Sequence, residues 1–134
     1  MPIINTNTDN GFGVITTLTG DVSGDELITA QKERYSSIKK ILLLKYILAD
    51  FTGTDKLDLC SNHILKCSSL SMSASLENPN ICIAAVMNSD LGYGLSRMWQ
   101  AYTDDIPWNA KVFRTRSEAE DWLREEIDVE LCFS

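Results

Sequence analysis

The chain has 134 residues, 44% of them hydrophobic and 23% charged, with a formal net charge of −7. That size and balance suit one folded domain with a full core and exclude a disordered polar chain. The acidic balance repels nucleic acid and anionic membrane surfaces overall, and no Lys/Arg run supplies a local basic patch to override it, so no nucleic-acid partner is expected; the longest apolar run, ILLLKYILA, is broken by Lys45 and falls short of the ~20 residues that span a bilayer.

The first element is a hairpin. Asp9-Asn10-Gly11 supplies the left-handed backbone of a tight turn, with Ile3-Ile4 and the Val14-to-Leu18 run as paired strands and Gly20 as the end of the second. SGDE at 23–26 is a capping box, so a helix is predicted from there to about Ser36. Its stripe of Leu27, Ile28, Tyr35 and Ile38 is interrupted by Gln31. A strand is predicted from Leu43 to Asp50, apolar at nearly every position as a strand covered on both faces would be, and FTGT breaks it. A helix follows over Ser61 to Leu76, stopped by ENPN. ICIAAVM, 81–87, is a second buried strand.

Leu91, Leu95, Met98, Trp99 and Tyr102 then recur at offsets 0, 4, 7, 8 and 11, one face of a helix that Asn88 or Ser89 can cap. NAKVFRT is the last strand. SEAE at 117–120 repeats the capping logic for a final helix with the stripe Ala119, Trp122, Leu123 and Ile127. The tail DVELCFS carries no decisive pattern. The predicted order is β-β-α-β-α-β-α-β-α over a single domain spanning residues 1–134. It specifies an α/β fold with a mostly parallel sheet, right-handed crossovers and an N-terminal antiparallel hairpin.

Gly92 and Gly94 invite comparison with a phosphate-binding loop. A dinucleotide fingerprint needs a third glycine where Arg97 stands and places its glycines before the helix; a P-loop needs Gly-Lys-Ser/Thr. The segment therefore reads as a helix start packed against a neighbour. Anion binding at its N–H groups, aided by Arg97, is the alternative. Tyr93 and Arg97 lie away from the apolar stripe, as either a solvated face or a partner surface.

Other constellations are incomplete. Cys60, His63 and Cys67 share a spacing that suits zinc but lack a fourth ligand, and the four cysteines form no CxxC pair, so free thiols are expected and no metal. His63, the sole histidine, has no GxSxG serine to serve. Asp50, Asp55, Asp58 and Asp90 cluster near strand ends, where helix capping is the ordinary role. Lys111, Arg114 and Arg116 face an acidic final helix that neutralises them.

The phrases LTGDVSGDEL, YILADFTG, ICIAAVMNSDLGYGLSRMW and VFRTRSEAEDWL, with the order of elements, resemble the small bacterial SpoIIAA-like proteins of the STAS superfamily, over nearly the whole chain. The resemblance implies a β-α superhelix with four or five strands, related to Sec14/CRAL-TRIO lipid-binding folds. It also implies a candidate phosphorylation site. Anti-sigma-factor antagonists carry Asp-Ser-Ser/Thr-Gly after the central strand, and here Asp50, Thr52 and Gly53 match while Phe51 departs. Thr52 is then the residue that would take phosphate; Thr-Gly after a strand is also an ordinary turn.

The expectation is a cytoplasmic, unexported, non-enzymatic binding or regulatory module acting through protein–protein contacts, with no catalytic residue and no cofactor. Its partner would be an unknown protein, a homodimer included. The alternative is a small apolar (lipid-like) or anionic ligand in a pocket at the strand ends, lined by Phe51, Tyr93, Trp99 and Trp108. The candidate surface comprises Asp50, Phe51, Gly53, Asn88, Gly92, Tyr93, Gly94, Arg97, Trp99 and Trp108.

Overall fold

In the computed structural model, which describes residues 2–134, one five-stranded sheet runs β1 (Ile3–Thr8), β2 (Gly13–Ser23), β3 (Tyr46–Asp58), β4 (Cys82–Val86), β5 (Asn109–Phe113), in that spatial order. β1 and β2 pair antiparallel, with Ile3 opposite Leu18, and all later pairs are parallel. The helices are α1 (Gly24–Arg34), α2 (Ile38–Leu43), α3 (Ser61–Glu77), α4 (Asp90–Tyr102) and α5 (Arg116–Glu126). No helix among the described residues is long and apolar enough to cross a membrane.

Sequential parallel strands joined by right-handed crossovers carry their connecting helices to one face. Leu27, Ile28 and Ala30 of α1 and Cys67 of α3 pack there on Ala49 and Phe51; Ile41 of α2 and Ala74 of α3 pack on Ile47 and Ile83. The other face belongs to α5 and the tail. Ala119 and Leu123, both without exposed surface, lie with Leu131 and Phe133 over Tyr46, Leu48, Val86 and Phe113. β3 is therefore buried at every position from Tyr46 to Phe51.

Several boundaries differ from the sequence expectation. Leu43 closes α2, a six-residue helix capped by Ser37, and the strand begins only at Tyr46. FTGT does not break it: β2 and β3 stay paired to Ser23 and Asp58, because register shifts between Thr17 and Thr19 and between Gly20 and Asp21 absorb the irregular residues. Gly20, at φ +69°, is thus a bulge rather than the end of β2. A Cβ on Gly53 would come within 3.1 Å of the Leu18 carbonyl oxygen. α1 begins with the predicted box: the Glu26 N–H donates to Ser23 Oγ at 3.2 Å and the Ser23 N–H to Glu26 Oε1 at 3.0 Å. In α5 the cap is Thr115 with Glu118, two residues before the SEAE stretch expected to supply it.

The buried side of α4 is also displaced from the predicted stripe. Leu91 is 63% exposed and Tyr102 is exposed, while Gly92 and Ser96 are buried and Trp99 packs against two core clusters. Close approach decides this. Ser89 Oγ accepts from the Gly92 N–H at 3.0 Å, and a Cβ on Gly92 would lie 2.9 Å from both Met87 Sδ and Ser89 Oγ. Gly94 has nothing within 4 Å. The pair of glycines is therefore one packing residue and one solvent-facing residue inside a helix, and no loop exists there to cradle a phosphate.

The tail is anchored by one carboxylate. Asp9, Asn10 and Gly11 all have positive φ, which turns the hairpin and points Asp9 back at the chain end. The N–H groups of Cys132 and Phe133 donate to Asp9 at 2.6 and 3.1 Å, and the Tyr46 hydroxyl donates at 2.6 Å. The Asp9 N–H in turn donates to the Ser134 carbonyl at 3.0 Å. Phe133 meets the Tyr46 ring edge-on at 5.3 Å. Gly13 is required beneath it, since a Cβ would lie 1.9 Å from Tyr46 Cζ.

Two predictions follow from this packing. Burial opposes the charge of Asp9, but the Tyr46, Cys132 and Phe133 donors outweigh it and hold the carboxyl below the 3.8 of a free side chain. A depressed folded value means the anchoring is fully present above pH ~4 and is lost as pH falls through the folded value. Asp9→Asn keeps the left-handed backbone but weakens charge-assisted bonds by ~1.5 kcal/mol, so the amides of Cys132 and Phe133 should exchange roughly tenfold faster and lose their acid sensitivity in hydrogen-exchange measurements. For the glycines, urea unfolding should give opposite signs: Gly94→Ala stabilises by ~0.5–1 kcal/mol, and Gly92→Ala destabilises by ~1 kcal/mol or more.

Candidate functional site

The sheet's helix-covered face holds a cavity of about 70 Å³ between β3, β4, α1, α3 and α4. Small side chains make it. Ala49 and Ala85 are register partners on adjacent strands, and Ser96 of α4 faces them across the gap. Phe51, Ile83, Ile64, Leu95 and Trp99 form the larger surrounding walls. No Asp or Glu lines it.

Two polar side chains of α1 interrupt that apolar lining. Gln31 and Arg34 are each only 8% exposed, and both border the cavity. Arg34 Nη1 donates to Thr16 Oγ1 at 2.9 Å and Nη2 to the Tyr35 hydroxyl at 3.0 Å, with the guanidinium 4.8 Å over the Tyr35 ring. Its Nε and the Gln31 Oε1 have no hydrogen-bond partner. Cys67, also on the wall, is a neutral thiol: burial pushes it up to about 11, although the nearby Arg34 charge pulls the other way.

The residues singled out in the sequence are dispersed over several places. Phe51 and Trp99 line the cavity; Tyr93 and Trp108 do not. Trp108 is buried elsewhere on the same face, donating from Nε1 to the Asn78 carbonyl at 2.8 Å. Tyr93 lies under the Arg114 guanidinium, 4.3 Å from its ring centroid, and Arg114 pairs with Asp90 at 3.1 Å. Gly94 and Arg97 are exposed.

Asp50, Thr52 and Asn88 form a second group where β3 leaves the core. Asp50 is buried toward α5, accepts from the Thr52 N–H at 3.0 Å and from its hydroxyl at 2.6 Å, and faces Arg116 Nη1 at 3.5 Å. Asn88 Nδ2 donates to the Thr52 carbonyl at 3.2 Å. Thr52 sits inside a strand rather than at a helix start, so its hydroxyl faces a carboxylate instead of free helical N–H groups.

The remaining constellations separate. Cys60 Sγ lies 3.2 Å from His63 Nδ1 at the start of α3, while Cys67 is turned into the core. Among the described residues no group of three or more His, Cys, Asp or Glu could hold a metal ion. Asp55 and Asp58 are exposed on the far end of β3, apart from buried Asp50. Arg116 is neutralised within α5 by Glu120 at 2.9 Å.

Sequence reasoning missed Thr16, Gln31, Arg34 and the Ala49–Ala85 gap. One signal was present: Gln31 interrupts the α1 stripe, and Arg34 follows one turn later on the same side.

No family model matches the chain, and no curated protein matches it in sequence. Among solved structures it is similar to the anti-sigma factor antagonist SpoIIAA in its unphosphorylated form, with a TM-score of 0.58 and 12% identity, covering 91% of this chain and 97% of that one. It is also similar to an uncharacterised DUF3478-family protein with a SpoIIAA-like fold from Shewanella loihica, at a TM-score of 0.48 and 17% identity over 90% of this chain and 91% of that one. With its mixed sheet, antiparallel at β1–β2 and parallel at the later pairs, and its alignment with SpoIIAA over 91% of its length, the chain has a SpoIIAA-like fold.

Proposed function

We propose that this protein is a non-enzymatic binding module that takes a small, largely apolar molecule into the cavity between the sheet and helices α1, α3 and α4. The observation that carries this reading is the cavity itself. The space, about 70 Å³ and partly open to solvent, stays unfilled because Ala49, Ala85 and Ser96 stand where larger residues would close it. An occupant of a few heavy atoms would take its apolar surface out of water there.

The test is a titration with hexan-1-ol followed by two-dimensional NMR. Saturable shifts are expected at amides lining the cavity and at the Trp99 indole. Ala85→Leu, which fills the gap from the sheet side, should abolish them. Shifts that never saturate, or that persist in Ala85→Leu, would remove the reading.

A separate observation supports regulation through protein contacts. Leu65, Met72 and Leu76 form an exposed stripe along α3, with Leu76 82% exposed, and Ile38 and Leu42 are exposed on the adjoining α2. A phosphoryl group on Thr52 would act through a different place, replacing the bond to Asp50 with like-charge repulsion and loosening the β3–α5 contact. In the homodimer form of this reading, sedimentation velocity should show concentration-dependent self-association that Leu76→Glu suppresses. A chain that stays monomeric at high concentration argues against it.

A further inference from the structure

The charge balance around the cavity is incomplete. The chain has 19 Asp and Glu residues, yet none lines the cavity and none forms an ion pair with Arg34 among the described residues. A guanidinium removed from water is retained when an anion or a full set of acceptors answers it. Arg34 has two neutral hydroxyl acceptors and an aromatic face, which leave Nε and the net charge unanswered. Glu33, which borders a neighbouring groove together with Arg34, forms no ion pair with it, and Cys67 is held neutral by burial. Lys111 is the other cation on the cavity wall; its ammonium lies 5.5 Å from the ring of Phe113, a residue packed on the α5 side.

Gln31, one turn before Arg34 on α1, adds a second unanswered group. Its amide oxygen is buried without a donor, and an amide can turn either end to a headgroup. Most of the remaining wall is apolar, with Leu27, Ile64, Phe51 and Trp99 the larger side chains. An arginine and an amide at one side of an apolar chamber match a molecule that is charged at one end and greasy at the other.

We infer that the occupant is a small amphipathic carboxylate, its headgroup received by Arg34 and Gln31 and its short apolar body lying between Ala49, Ala85 and Trp99. This rests on the ligand-binding reading above and adds the sign and position of the charge. One guanidinium balances one negative charge, which favours a carboxylate over a phosphate dianion. The available space, about 70 Å³, restricts the body to a short chain.

The experiment compares hexanoate with hexan-1-ol on the intact wild-type chain, reading cavity amides and the ¹⁵Nε signal of Arg34 by NMR. Hexanoate should bind at least tenfold more tightly than the alcohol and shift the Arg34 Nε resonance, which the alcohol leaves in place. Arg34→Gln should lower hexanoate to the level of the alcohol, and Arg34→Lys should retain part of the preference. The wild-type comparison stands even if Arg34→Gln fails to fold. Equal binding of both probes, or an unmoved Arg34 Nε signal on saturation with hexanoate, overturns the carboxylate assignment and leaves the apolar-ligand reading intact. Saturable binding of neither probe removes both.

Discussion

The pleat of β3 is the constraint on which the molecule depends. Successive side chains of a strand point to opposite faces, and from Tyr46 to Phe51 both faces are covered. Tyr46, Leu48 and Asp50 go to α5 and the tail; Ile47, Ala49 and Phe51 go to the α1–α4 layer. A slip of one residue would drive Asp50 into the helical core and pull Tyr46 from its anchor on Asp9. Ala49 and Phe51 at the cavity and Asp50 beside Arg116 therefore point to opposite sides of one strand.

The two faces are closed by different means. On the α1–α4 side, closure is by helices whose connections are short and sequential. On the α5 side, a helix of eleven residues is supplemented by an irregular tail, and polar contacts hold that tail in place. Asp9 is the centre of those contacts. It links the hairpin turn to Tyr46 in the middle strand and to the last residues of the chain. Leu131 and Phe133 complete the cluster over Tyr46 and Leu48 that Ala119 and Leu123 of α5 begin, and the Asp9 contacts fix the backbone that carries them.

The cavity lies where small residues coincide, and Gln31 and Arg34, which border it, each carry a buried polar atom without a partner. A void beside apolar walls alone would be a packing defect of modest cost. A void beside a buried guanidinium without a carboxylate is the ground for the anionic ligand proposed above. The similarity to SpoIIAA concerns the fold; the same architecture leaves room for the site on the helix-covered face to be specific to this chain.

How much was legible in the sequence follows from the range of the interactions. Capping boxes, the Asp-Asn-Gly turn and the buried run of β3 depend on residues within a few positions of one another, and the residues alone specified them. The element order and parallel sheet followed from the alternation of strand and helix signals. The extension of β3 past Gly53 did not, because β2 holds it there across more than thirty residues of intervening chain. The short helix α2 was hidden for a related reason: its Leu42 and Leu43 are exposed, so hydrophobicity pointed to a buried strand where a helix lies. In α4 the apolar spacing identified the helix, but close approach at Gly92 chose which side is buried, leaving Leu91 in solvent. The cavity was beyond local reading altogether. It needs Ala49, Ala85 and Ser96 to meet from three elements while Gln31 and Arg34 arrive from a fourth. The amino-acid sequence thus determined which segments are helix or strand and how they are ordered. Only tertiary packing decided where the residues fail to fill space and where a buried guanidinium meets no carboxylate among the described residues, because both are properties of groups that are distant in the chain and adjacent only once it has folded.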